Sequence, residues 1–179
     1  MSGSDLKRKL VRNAPYILLG AVVTFVFAAL VAGEIWGAYN KFWWWDDVLH
    51  GLAGVILGFI GFVLVYFFNA RYQMHINPLF VAVFAFSFAV TMGVVWEVFE
   101  FSGDALFHSN MQRWADPAST PMIGQAYQGS GLRDSMSDLI VASIGALVTS
   151  IFVYLGYKHD KTTALTVMRR TVKFAKRKK

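Results

Sequence analysis

The chain lacks cysteine altogether and contains few charged residues. Without cysteine it can form neither a disulfide framework nor a thiolate metal site. Charged residues make up 16% of its 179 residues, whereas an ordinary soluble domain has about 25%. Together with a hydrophobic content of 56%, this shortage of charge predicts a membrane protein of one domain.

Four long apolar segments define the expected fold. A helix needs about 20 mostly apolar residues to cross a bilayer, and helices are favoured there because lipid cannot satisfy unpaired backbone groups. Four segments meet this length, at residues 15–38, 47–69, 78–104 and 134–157. We therefore predict an all-α integral membrane four-helix bundle, in a transmembrane domain of residues 1–157 followed by a basic tail of residues 158–179.

Most of the 17 basic residues lie near the two ends of the chain. Because lysine and arginine are enriched in cytoplasmic segments, we predict a protein of the cytoplasmic (inner) membrane with both termini in the cytoplasm. Basic flanks suit anionic lipid headgroups, so we expect membrane lipids and no nucleic acid as partners. The first apolar stretch is too long for a signal-peptide core and lacks a convincing cleavage site, so no cleavable signal is expected.

Two connections face outward on this topology, at residues 40–46 and 105–133. Tryptophans in the first connection fit an aromatic belt that anchors the outer interface: Trp43, Trp44 and Trp45. The second is long for a structureless loop, so we expect a lid over the bundle, with residues 129–132 as a flexible approach to helix four. Residues 162–179 fit an amphipathic basic helix on the membrane surface, or else a partly disordered tail.

Small residues on the second and fourth helices predict close helix packing. In the second helix these are glycines that lie near one face: Gly51, Gly54, Gly58 and Gly61. The fourth helix has a comparable group: Ser143, Gly145 and Ala146. Small side chains allow two transmembrane helices to approach closely, so we predict a packing seam rather than a ligand site.

Of the 11 acidic residues, all except Asp5 and Asp160 fall at or above the outer half of the membrane on this topology, which leaves nine. They are Glu34, Asp46, Asp47, Glu97, Glu100, Asp104, Asp116, Asp134 and Asp138. Many of them lie one helical turn from another polar residue: Asp47 with His50, Glu97 with Glu100 and Asp104, and Asp134 with Asp138. Ionisable groups within spans are costly and usually face a bundle interior or a watery cavity, so we predict that these groups converge.

Several carboxylates and one imidazole, without a thiolate, suit a hard or borderline divalent cation. The steps Asp47-x-x-His50 and Glu97-x-x-Glu100 loosely resemble those of di-metal helical bundles. The predicted metal ligands are Asp47, His50, Glu97, Glu100, Asp104 and Asp138. A bound ion could acidify a water or clamp a phosphate; without one, the carboxylates could serve as general acid or base. The predicted catalytic residues are Glu97, Glu100 and Asp134, with Arg133 binding an anionic group.

Each of these residues also has a purely structural interpretation. Asp134 could cap the fourth helix, and Arg133 could pair with Glu97 or Glu100. Other polar residues outside the set fit solvated or surface positions: Glu34, Asp46, Asp116, His75 and His159. His108 follows Asp104 by one turn and fits either the site or the loop.

These motifs resemble a known group of proteins. Asp47-Val48-Leu49-His50, Trp96-Glu97-Val98-Phe99-Glu100 and Arg133-Asp134-Ser135-Met136-Ser137-Asp138 occur in an order similar to that of the YjdF-type inner-membrane proteins, a family of unknown function. They are also similar to the VanZ-like proteins, which tend to carry Asn where this chain has Asp138. The VanZ-like proteins are associated with glycopeptide resistance, so that resemblance implies work at the cell envelope.

The leading functional hypothesis is a site near the outer leaflet that binds or acts on an envelope lipid or phospholipid headgroup, with a divalent metal ion as its candidate cofactor. A small proton- or ion-coupled transporter is the first alternative, although the inner halves of the spans hold almost no ionisable residues. A membrane scaffold or assembly protein, with the carboxylates pairing to a partner, is the second. Whether the protein is an enzyme stays open.

Overall fold

The computed structural model describes residues 3–72, 76–112, 125–160, 166, 169 and 170. Within these residues the chain is helical and contains no β-strand. The elements are α1 (Gly3–Val26), a π-helical continuation (Phe27–Ile35), α2 (Ala38–Lys41), α3 (Trp45–Tyr72), α4 (Pro78–Phe107) and α5 (Gln125–His159). Four spans are long and apolar enough to cross a membrane: Arg12–Ile35, Trp45–Asn69, Pro78–Phe107 and Gly131–His159. The predicted all-α membrane bundle is therefore confirmed.

The core of the bundle consists of α3, α4 and α5, which all contact one another. The helix α1 contacts α3 but neither α4 nor α5 within the described residues, so the first span lies at the periphery. The chain order places the beginnings of α3 and α5 and the end of α4 at the same end of the bundle. The two chain ends of the described spans, at Arg12 and His159, lie at the opposite end.

The glycine seam lies where α3 crosses α5. A Cβ atom on Gly54 would overlap the carbonyl oxygen of Ala142, and one on Gly145 would overlap the carbonyl oxygen of Gly51. One turn further along, a Cβ on Gly58 would approach the Cβ of Thr149 to 3.0 Å. These helices therefore pack backbone against backbone, as small residues permit in membranes. The Thr149 hydroxyl adds a hydrogen bond to the Val55 carbonyl, at 3.2 Å.

Apolar side chains fill the end of the bundle that lies away from the acidic residues. The cluster includes Phe62, Val65, Val81, Ala85, Val153 and Tyr157. Gly61 lets α3 approach α4 there, since a Cβ at this position would lie 3.0 Å from the Cα of Ala85. No Asp, Glu, Lys, Arg or His occurs in residues 51–69, 78–96 or 139–157.

The caps of α4 explain where that helix begins and ends. The side chain of Asn77, just before the helix, accepts a hydrogen bond from the Leu79 amide at 2.8 Å. Pro78 occupies the first turn, where its missing N–H removes no helical hydrogen bond. At the other end His108 adopts a left-handed conformation with φ 54°, and its amide donates to the Asp104 carbonyl. The helix therefore runs one turn beyond the predicted end at residue 104.

One sequence prediction needs correction, and two others fall partly or mostly outside the described residues. Residues 129–132 belong to α5, which begins at Gln125, and they do not form a flexible approach to it. The predicted start was wrong because Gly129, Ser130 and Gly131 are poor helix formers, and yet they form a turn of α5. Residues 113–124, which are part of the predicted lid at 105–133, and most of the predicted amphipathic helix at 162–179 lie outside the described residues.

Candidate metal centre

The imidazole of His50 lies between carboxylates from two helices. Its Nε2 atom is 3.6 Å from the Asp46 Oδ1 atom, one turn earlier on α3. Its Nδ1 atom is 3.6 Å from the Glu97 Oε1 atom on α4. Both separations exceed the range of about 2.7–3.2 Å for a hydrogen bond. Two ligand atoms that bind one tetrahedral ion with bonds of about 2.0–2.1 Å lie about 3.4 Å apart, so each pair is spaced as ligands are.

Two groups of side chains around His50 could each hold a metal ion. One consists of Asp46, His50 and Asp138, and the other of His50, Glu97 and Glu100. In each group the potential ligand atoms lie within 4.8 Å of one another. All members except Asp46 are buried, so the structure brings α3, α4 and α5 together at one polar centre.

Several carboxylate oxygens of this centre are buried and have no hydrogen-bond partner among the described residues. Glu97 is 6% exposed and Asp138 is 2% exposed. Neither oxygen of Glu97, nor Oε2 of Glu100, nor Oδ2 of Asp138 has a hydrogen-bond partner among the described residues, although the Ser135 hydroxyl lies near Glu97. Among the described residues, no lysine or arginine forms an ion pair with these carboxylates. Such groups are expensive in a protein interior unless a cation or proton compensates them.

A second layer of polar side chains orients the centre. The Trp96 indole Nε1 donates a hydrogen bond to the Glu100 Oε1 atom at 2.8 Å. The Ser137 hydroxyl donates to the Asp47 Oδ1 atom at 3.2 Å, which joins α5 to α3. Trp96 thus holds one oxygen of Glu100, as supporting groups do around metal sites, while the other oxygen has no partner among the described residues.

Asp104 holds the loop that follows α4. Its Oδ1 atom accepts from the Ser109 hydroxyl at 2.7 Å and from the Met111 amide at 2.6 Å. Its Oδ2 atom accepts from the Gln112 amide at 3.1 Å. The Gln112 side chain then donates to the Ser135 hydroxyl at 2.7 Å, so this loop is tied to α5. Both Asp104 oxygens are thus engaged by the loop, which supports a structural role rather than the predicted ligand role.

Tyr39, on the short helix α2, lies near the carboxylates and was not predicted. Burial, then the nearby charges of Asp46 and Glu100, raise the pKa of its phenol above the ordinary range. The phenol therefore stays protonated at neutral pH and can act as a hydrogen-bond donor. The Tyr39 ring covers Gly33 in the π-helical segment, where any Cβ would overlap it. Short π-helical segments frequently occur at functional sites, and this one links the peripheral first span to the centre.

The structure distributes the predicted site residues as follows. His50, Glu97, Glu100 and Asp138 come together, and the half-buried Asp134 lies near enough to add to the negative field around Asp138. Asp47 lies to the side, bonded to Ser137. Arg133 and His108 are exposed.

One residue expected to be solvated belongs to the centre. Asp46 faces His50, whereas the sequence analysis had paired Asp47 with it. The available signal was the i, i+4 spacing of Asp46 and His50, since residues four apart share a helix face.

The fold and the site define the class of this protein. It is a membrane protein with four candidate spans and a buried centre of carboxylates and a histidine. The chain belongs to the family described as "Predicted membrane protein (DUF2238)", whose model matches residues 8–159. It is also similar to an uncharacterized protein of Thermotoga maritima, with 29% identity over 136 residues. That match covers 72% of this chain and 57% of the relative, so the chain spans little more than half of that protein.

No solved structure matches the chain significantly. The resemblance to YjdF-type proteins fits the matched family loosely, whereas none of these matches supports the likeness to VanZ-like proteins.

Proposed function

We propose that this membrane protein binds a divalent cation at the His50 centre and uses it to bind the phosphate of a lipid headgroup at one face of the membrane. The observation that carries the proposal is the set of buried carboxylate oxygens without partners around His50. Oxygen and imidazole ligands without thiolate suit ions such as Mn²⁺ or Zn²⁺. A cation offsets the mutual repulsion of these carboxylates, which lie close enough to act on one another.

The depth of the centre supports a headgroup as the ligand. Asp46 and His50 lie in the first two turns of α3, and Glu97 and Glu100 lie in the last three turns of α4, so the centre lies toward the end of the bundle where spans meet headgroups. Trp43 is 86% exposed beside it, as aromatic residues at the interface are. Each of the two groups around His50 provides three protein ligands, which leaves coordination positions for a phosphate oxygen or a water. Exposed Arg133 is available to an anionic group at the same end.

A transporter is less well supported. The described helices have no ionisable Asp, Glu, Lys, Arg or His between the centre and the opposite end of the bundle, within residues 51–69, 78–96 and 139–157. Apolar side chains fill that region. Charge-relay transport usually relies on intramembrane ionisable residues along the path.

The test compares metal content and phosphate contact in one preparation. Protein purified in nanodiscs and dialysed against Mn²⁺ is analysed by inductively coupled plasma mass spectrometry. Phosphorus-31 resonances of the lipid then report whether the paramagnetic ion lies near phosphate. We expect bound Mn²⁺ and selective broadening of the lipid phosphorus signal, both lost in Glu97→Gln.

Asp160→Asn is the matched control, because it makes the same carboxylate-to-amide change at the opposite end of the bundle. It should keep both signals. If the wild-type protein binds no divalent ion, the proposal is wrong as a whole. If it binds the ion without any effect on lipid phosphorus, the headgroup part is wrong and the metal part stands.

A further inference from the structure

His50 presents its two ring nitrogens to two different sets of carboxylates. The Nε2 atom faces Asp46 on its own helix and the Nδ1 atom faces Glu97 on α4, each at 3.6 Å. The two nitrogens of an imidazole lie on separate edges of the ring, so a single ion cannot bind both. Each of the two metal-holding groups contains His50, and they share no other residue.

Neither ring nitrogen of His50 has the close carboxylate partner that often supports a histidine bound to a single ion. A histidine that binds a metal through one nitrogen usually donates the other N–H to a carboxylate or carbonyl. Such a hydrogen bond has a length of about 2.7–3.2 Å, and neither nitrogen has a partner that close among the described carboxylates. Instead, each ring nitrogen lies the same 3.6 Å from the carboxylate oxygen that it faces.

Carboxyl groups from three helices lie around His50. They are Asp46 on α3, Glu97 and Glu100 on α4, and Asp138 on α5. None of them forms an ion pair with a described lysine or arginine. Two divalent cations would offset the four negative charges that these carboxylates carry when all are ionised.

Deeply buried oxygens without partners lie on both sides of the ring. On the Asp46 side, Asp138 is 2% exposed and its Oδ2 atom has no partner within the described chain. On the Glu97 side, Glu100 is 5% exposed and its Oε2 atom is likewise unpartnered. Each side therefore has its own acceptor for a cation.

We propose that the centre holds two divalent cations bridged by His50, one bound by Asp46, His50 and Asp138 and the other by His50, Glu97 and Glu100. This inference rests on the proposed metal function and sets its stoichiometry. When the second ion binds, the remaining N–H proton of the imidazole leaves to water, and the ring bridges the ions through both nitrogens. Helical bundles with paired carboxylates and histidine are known hosts for two-metal sites.

The experiment titrates metal-free protein in detergent with Mn²⁺ alone. We measure bound Mn²⁺ per chain after gel filtration and record the electron paramagnetic resonance spectrum at each step. The expected result is two ions per chain, with a six-line signal at low loading that gives way to a spin-coupled spectrum at full loading. The wild-type spectrum needs no variant and so does not depend on the folding of one.

Two isosteric variants assign the sides of the ring. Asp138→Asn and Glu100→Gln should each bind one ion per chain and show no spin coupling, while Asp160→Asn should bind two. One ion per chain in the wild type, or loss of both ions in each of the first two variants, overturns the two-ion proposal and leaves the single-ion function standing. No bound ion in the wild type overturns both.

Discussion

Replacing Gly145 by alanine tests the helix packing that positions the centre. A Cβ atom at this position would overlap the Gly51 carbonyl oxygen of α3 and lie 3.2 Å from the Val55 nitrogen. An ordinary carbon–oxygen contact measures about 3.3 Å or more, so α3 and α5 would have to separate by about 1 Å. Overpacking of this kind costs typically about 1–3 kcal/mol, and we expect Gly145→Ala to lose stability within that range.

Gly156→Ala provides the matched control on the same helix. Nothing lies within 4 Å of a Cβ at Gly156, so this change should be neutral or stabilising by up to about 0.5–1 kcal/mol, because alanine is the better helix former. The assay is thermal or denaturant unfolding of both variants in one detergent, followed by circular dichroism. Metal affinity should also fall in Gly145→Ala, since Asp138 lies two turns away on α5. Equal stability of the two variants would refute the close crossing of α3 and α5.

Further predictions concern the surroundings of the centre. Trp96→Phe removes the donor to Glu100, and by the usual effect of such supporting groups it should weaken Mn²⁺ binding about 10–100-fold, measured by equilibrium dialysis. Asp104→Ala should expose the segment after α4 to limited proteolysis while leaving the Mn²⁺ stoichiometry unchanged; a fall in stoichiometry would restore Asp104 as a ligand. Thr149→Val removes the bond to the Val55 carbonyl and should cost about 0.6 kcal/mol, the average for such bonds in membranes. Metal removal by a chelator should lower stability by about 2.7 kcal/mol relative to protein at a hundredfold excess of metal over its dissociation constant, and an unchanged melting temperature would contradict this.

The spans and their packing could be predicted because the bilayer leaves few alternatives. Length and apolarity identify a spanning helix, and small residues at helical spacing identify a close crossing. Gly54 and Gly145 therefore predicted close packing of their helices, and the structure shows that α3 and α5 pack against each other at these residues. The convergence of His50 and Glu97 followed from the same logic, because charges in a span face one another and not lipid.

The choice between neighbouring carboxylates could not be predicted in the same way. Asp46 and Asp47 lie in the same first turn, and both are about one turn from His50. Their roles depend on how α3 is rotated relative to α5, which Ser137 reveals by bonding to Asp47.

Tyr39 and Asp104 show a second limit of the sequence. Tyr39 reaches the centre only because the chain turns sharply after the π-helical segment, where Gly37 adopts a φ of 72°. Asp104 has the spacing of a ligand, and yet the loop after α4 folds back and uses both of its oxygens. Turns and loops of this kind produce no helical periodicity in the sequence, so the contacts that they create could not be predicted from it.

The central claim is that a divalent cation binds at His50. The most direct test is an anomalous difference map from crystals of the protein grown in lipid with Mn²⁺, recorded at the manganese edge. We predict a peak within bonding distance of the His50 imidazole and the carboxylates of Glu97 and Glu100. A well-ordered map with no anomalous peak there, and with those carboxylates hydrogen-bonded to water or to one another, would contradict the account.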